Sequence, residues 1–276
     1  MNEIVVVMDF SSSSKYMLDF AAKIANTYNS FITIVWIDNK ENRKLLNINS
    51  DKQVKELIVE QYDKAISKFS YIISVSQFEL RLVTDNSYSK LLSLVYNLQI
   101  NLLLIHNKQK KGFISETFNT NLNIQSNVSC PVIFFPDSYV YDSTISNIFI
   151  PIDQSIDTRQ KLPISLILSK SFASNAKICS MKLDMEKQLI AKYAQQALNY
   201  LHKNKINVEA VEIANNIKEI ESYCVNKKIA LIISMRDNAI DSALSRYSFT
   251  QKLINMQLIP VLSFPNATVK RKALGK

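Results

Sequence analysis

Glycine is nearly missing from this chain. Its 276 residues include two, Gly112 and Gly275, against roughly 19 in an average chain at about 7%. A phosphate loop that needs several glycines, so that backbone amides can close on an oxyanion, has no such material here. Histidine is as scarce: His106 and His202 stand in unrelated places. The three cysteines, Cys130, Cys179 and Cys224, lie scattered beside apolar residues with no C-x-x-C spacing. Buried reduced thiols are expected from them, with no disulfide and no metal site. No apolar run approaches the roughly 18 residues of a membrane span, and residues 1–3 lack the basic segment of a signal peptide. The expectation is a cytoplasmic protein with no membrane partner. Paired carboxylates, a Ser-His-Asp set and a metal cluster are all missing as patterns, so no catalysis is expected.

What the chain does have is a repetition. IVVVMD at 4–9 is matched by IFIPID at 148–153, each an apolar run stopped by a carboxylate. NVSCPVIFFP at 127–136 is answered by MQLIPVLSFP at 256–265, with Pro-Val and Phe-Pro in register. A period well above one hundred residues means two copies of a domain, not a solenoid of short units. Each copy is long enough to bury a core without disulfides or metals. The composition, 47% apolar and 21% charged, is that of a globular protein. The net charge of +9 is spread over both halves, and its one dense run, 270–272, lies in the tail. It reads as a solvated surface, with no specific nucleic-acid footprint.

Strands and helices alternate in both copies. Apolar runs predict strands at 4–8, 31–36, 78–83, 102–105 and 132–135, then at 148–152, 177–182, 207–213, 231–234 and 261–264. Apolar positions three and four apart predict helices at 13–28, 52–74, 87–97 and 116–126, then near 158–173, 186–204, 216–227 and 242–256. Residues 39–50 are polar without period and read as a long loop, which the second copy lacks. Residues 139–146 read as the linker. Strands apolar at every position are buried on both faces, so the fold class is α/β with parallel, doubly wound sheets. Ligands on such sheets bind beyond the carboxyl ends of strands, where the strand order reverses. Those ends carry Asp9 and His106 in copy one, and Asp153 and Met235 in copy two.

The strand ending Met8-Asp9-Phe10-Ser11, the second strand ending Trp36-Ile37-Asp38, and the late Cys-Pro-Val-Ile-Phe-Phe-Pro of 130–136 together resemble a universal stress protein domain. Pro151-Ile152-Asp153 and Ile259-Pro260-Val261 offer the same in copy two. The resemblance covers 1–138 and 146–266 and so implies a tandem universal stress protein. It implies five-stranded parallel sheets of order 3-2-1-4-5, adenine nucleotide alpha hydrolase-like, forming an intramolecular pseudo-dimer. Pairing of two such chains into a homodimer stays open, and no protein partner is named by it. Many members bind ATP or AMP through G-x2-G-x9-G-[ST] after the fourth strand. Set on that motif, the glycine positions fall on His106, Gln109 and about Asn119 next to Thr120, and on Met235, Asn238 and about Ser248. None is glycine, so the standard ATP mode is expected to be absent and no cofactor is expected.

Asp9 and Asp153 stand where nucleotide-binding members of the family place an acidic group, or else they cap the next helix. The basic loop Lys108-Gln109-Lys110-Lys111-Gly112 is the sharpest functional candidate, since lysines at a crevice neutralise an anion without a glycine cradle. Copy two has no such loop. The first expectation is a stress-response binding or interaction module. Its alternative is an ATP- or AMP-responsive switch with an altered site in copy one, contacted by Asp9, His106, Lys108, Lys111 and Thr120. A binder of a small apolar molecule or lipid is a third reading.

Overall fold

The structure is a computed structural model and describes residues 2–83, 88–97, 100–107, 127–137, 139, 144–153, 156–182, 187–214, 216–236 and 249–265. The expected helix at 116–126 and the basic run at 270–272 lie outside the described residues, as does the start of the helix expected at 242–256. The chain divides into two compact units, Met1–Ile133 and Phe134–Lys276.

The first unit runs β1 (Glu3–Met8), α1 (Ser12–Tyr28), β2 (Phe31–Ile37), α2 (Lys40–Leu45), α3 (Asp51–Ser67), β3 (Phe78–Val83), α4 (Tyr88–Asn97) and β4 (Leu102–Asn107). It ends within β5 (Val132–Pro136), inside which the division falls. The order is β3-β2-β1-β4-β5, with β1 parallel to β2 and β4, and β2 parallel to β3. Ile4, Val5, Val6 and Leu102 to Leu104 are fully buried. Consecutive burial, with no polar alternation, is why these strands read as unbroken apolar runs.

The second unit runs β6 (Asn147–Ile152), α5 (Leu162–Phe172), β7 (Asn175–Lys182), α6 (Lys187–Lys203), β8 (Val208–Ala214), α7 (Ile217–Asn226), β9 (Ile229–Met235), α8 (Phe249–Asn255) and β10 (Val261–Phe264). Its order is β8-β7-β6-β9-β10, with β6 parallel to β7 and β9, β7 to β8, and β9 to β10. The expected 3-2-1-4-5 order therefore holds in each unit.

Three differences from the sequence reading have local causes. The expected loop at 39–50 contains α2, built from polar side chains instead of an apolar stripe. Asn39 caps it, accepting from the Asn42 amide at 2.8 Å, and the Asn42 side chain donates to the Ile37 carbonyl at 2.8 Å. The Arg43 guanidinium forks onto Asp38 at 2.5 and 2.6 Å and reaches Asp51 at 2.7 Å, which holds its pKa above the ordinary value. The helix expected over 52–74 stops at Ser67, where Ser67 and Ser70 hydroxyls donate to backbone carbonyls three residues back. Such bonds compete with helix propagation. In the second unit, residues of the expected helix at 158–173 begin as a 3-10 turn, Ile156–Lys161, before α5 starts with Pro163 in its first turn.

The scarcity of glycine has a backbone consequence. Positive φ is carried by Phe10, Asn29, Asn47, Ala173, Lys205, Lys228 and Gln257. Asn29 and Ala173 end α1 and α5 in the left-handed region, at φ of 49° and 53°, a place that glycine usually takes.

Candidate functional site: two switch points

In the first unit β1 lies between β2 and β4, so the order reverses at the carboxyl ends of β1 and β4. Asp9 follows β1 and is 6% exposed. Its Oδ1 accepts from the Ser11 amide at 2.9 Å and from the Ser11 hydroxyl at 2.5 Å. The Ser11 oxygen in turn accepts from the Ser14 amide at 3.2 Å and caps α1. Asp9 thus orients the capping serine and adds negative charge at a helix N-terminus, which the helix dipole favours. Between them Phe10 is held at φ 60°, a conformation that is costly for a bulky residue. His106 is half-buried near the end of β4, with Asn107 buried beside it. Asp9 and His106 border one switch point, as the sequence placed them. Lys108, Lys111 and Thr120 lie outside the described residues, as do Gln109 and Asn119.

In the second unit the order reverses between β6 and β9. Asp153 is half-buried, and its amide donates to the Thr158 hydroxyl at 3.5 Å. Two cations that the sequence reading passed over stand at this end of the sheet. Lys161 is 1% exposed and donates from its Nζ to the Pro151 carbonyl. Arg236 is 4% exposed, directly after β9. Its Nε donates to the Ser263 hydroxyl at 3.2 Å, its Nη2 to the Ser263 carbonyl at 3.5 Å, and its amide to the Phe264 carbonyl at 2.8 Å. Thr250, fully buried, donates to the Met235 carbonyl, and its oxygen lies 2.9 Å from the Ser234 hydroxyl. The mouth of β9 is therefore built from Met235, Arg236, Thr250 and Ser263, all buried. Asn238 and Ser248 lie outside the described residues.

Reading the copies in register would have found Lys161. With Asp9 set on Asp153, Lys161 falls on Met17, a fully buried position of α1. Arg236 carries no comparable signal, because it falls one residue past an apolar strand.

Elsewhere the chemistry is quiet. Among the described residues no group of His, Cys, Asp and Glu could hold a metal, and no helix is long and apolar enough to cross a membrane. All three cysteines are buried and unpaired by disulfide, and burial pushes the Cys179 and Cys224 thiols up to about 12. A groove of about 310 Å³ lies between α4 and residues 127–129, lined by Leu92, Val95, Tyr96 and Val128. It opens where the chain enters β5, on the amino-terminal side of that strand, whereas the switch point lies at the carboxyl ends of β1 and β4.

No family model matches the sequence, and no curated protein matches it. Solved structures do match its fold from end to end. A universal stress protein from Archaeoglobus fulgidus superimposes with a TM-score of 0.67 at 14% identity, covering 96% of each chain. A protein provisionally assigned as a universal stress protein from Pseudomonas aeruginosa reaches 0.70 at 10% identity, covering 99% of this chain and 96% of its own. The cytoplasmic domain of a prokaryotic cation chloride cotransporter reaches 0.55 at 14% identity, covering 95% and 94%. The class defined by the strand order and these likenesses is the universal stress protein-like α/β fold, which this chain has over its whole length. At such identities the likeness is one of fold.

Proposed function

We propose that the chain is a stress-response binding or interaction module, without catalytic turnover and without the glycine-loop mode of ATP binding. The stress role is taken from the universal stress proteins whose fold it shares. The functional domains of this reading are 1–138 and 146–266. One observation supports the nucleotide part of it. Where a glycine loop would leave room for phosphates after β9, the chain sets its own buried Met235 and Arg236, the latter bonded to Ser263. A nucleotide would have to displace that arginine from partners it already has, at the cost of leaving buried polar groups unpaired. Titration calorimetry with ATP and AMP tests the reading.

A second reading rests on Phe10. Backbone strain of this kind persists where the surroundings over-determine it, often at ligand sites. A nucleotide-responsive switch in copy one would then use Asp9 with Lys108, Lys111 and Thr120. Replacing Lys108 and Lys111 with Ala should abolish an ATP-induced thermal shift; an unchanged shift removes this contact set.

A further inference from the structure

β3 ends the strand order on its side, and among the described residues its strand pairing is with β2. The Asp38 amide donates to the Val83 carbonyl. Val83, Arg81 and Glu79 therefore turn their peptide groups toward β2, and Phe78, Leu80 and Leu82 turn theirs outward. No proline interrupts FELRLV, so the outward N–H and C=O groups form an intact edge. Leu82 is 37% exposed. The Arg81 and Glu79 side chains, about half exposed, are bonded to each other at 2.6 Å.

We infer that β3 pairs antiparallel with β3 of a second copy of this chain, about a two-fold axis at Leu80. In that register Leu80 faces its own counterpart and Phe78 faces Leu82 of the second copy. These are the residues whose peptide groups point outward, and they supply about six hydrogen bonds. Glu79 then stands opposite Arg81 of the second copy in a non-hydrogen-bonded pair, the kind whose side chains approach more closely. Moving the axis one residue changes the sign of the contact. An axis at Glu79 sets two carboxylates face to face, and one at Arg81 sets two guanidinium groups face to face; both are destabilising.

Charges on an edge strand ordinarily deter association. On β3 they are ordered so that one register satisfies all four. The strand at the far end of the other unit's order, β8, lacks this property. It carries Glu209 and Glu212 with no cation, so a second copy would bring only carboxylates to its ladder. A two-fold pairing through β3 closes on itself and uses up that edge, which limits the assembly at that edge to two chains.

Sedimentation of the full chain tests this. A six-residue strand pair is a small interface, so association is expected with a Kd of roughly 1–100 μM. Glu79→Arg and Arg81→Glu should each weaken it at least about tenfold, and the two together should restore it, because opposite charges face each other again. Leu80→Pro removes only an outward N–H, which leaves the β2 ladder intact, and should abolish the dimer. Circular dichroism checks that each variant is folded. A chain that stays monomeric through this range overturns the inference. So does a dimer that is indifferent to the charge reversals.

Discussion

Lys161, buried at the end of the 3-10 turn before α5, donates from its Nζ to the carbonyl of Pro151. β6 pairs with β9 from Asn147 to Phe149, the last opposite Ile232. Nearer the mouth, Pro151 has no N–H to give, and its carbonyl is taken by this side chain. A lysine stands at the place of a core methionine in the other copy, so a buried side-chain donor of copy two takes a strand carbonyl near the second switch point.

Truncating that lysine leaves a cavity and an unsatisfied buried carbonyl. Lys161→Ala should cost about 2–4 kcal/mol in urea unfolding. Lys64, an exposed lysine paired with Glu60 on α3, is the control, and its replacement by Ala should change stability by less than about 0.5 kcal/mol. Equal effects would show that Lys161 is not an internal strut.

Ala173 ends α5 at φ 53°, where its Cβ is a burden. Ala173→Gly should stabilise by about 0.5–1 kcal/mol, the relief of the left-handed conformation exceeding the added entropy of the unfolded chain. Asn29→Gly should gain less, since asparagine tolerates this region. A loss of stability in Ala173→Gly would contradict this account of the glycine-poor turns.

Burial raises the carboxyl pKa values of Glu3 and Asp19, with the Thr33 hydroxyl and Lys68 acting against it respectively. Between the ordinary carboxyl value and the raised one, the folded state holds more protons than the unfolded state. Stability contributed by these groups therefore rises as pH falls through that interval. Glu3→Gln should raise the midpoint of unfolding at neutral pH and flatten this part of the profile. A profile that steepens in the variant would reverse the sign.

The thiolate is the reactive form of cysteine, and Cys179 and Cys224 are pushed up to about 12 by burial. Neither should react with a thiol reagent at pH 8 while the chain is folded, and both should react fully in denaturant. Labelling of either in the folded chain would show an opening that this packing does not contain.

The strands were legible because both faces are buried. Ile4 to Val6 and Leu102 to Leu104 needed no polar alternation, so an unbroken apolar run was sufficient. The same logic was blind to α2, whose helix rests on Asn39, Asn42 and Arg43 bonding to nearby polar groups and not on a stripe. At the site, the missing glycines could be counted, while the buried basic side chains near the mouth of the second sheet could not. Lys161 closes the polar run Asp157-Thr158-Arg159-Gln160 and so reads as a surface residue, and Ser263, which the Arg236 side chain bonds, lies 27 residues away in sequence. Asp9 was legible as a residue, but its bond to Ser11 depends on the strained turn at Phe10, and propensity does not predict a phenylalanine there.

Calorimetric titration of the full chain with ATP and with AMP, to millimolar nucleotide, tests the central claim most directly. A module whose switch points are furnished by its own side chains should give only heats of dilution. A saturable one-site isotherm with either nucleotide would contradict it.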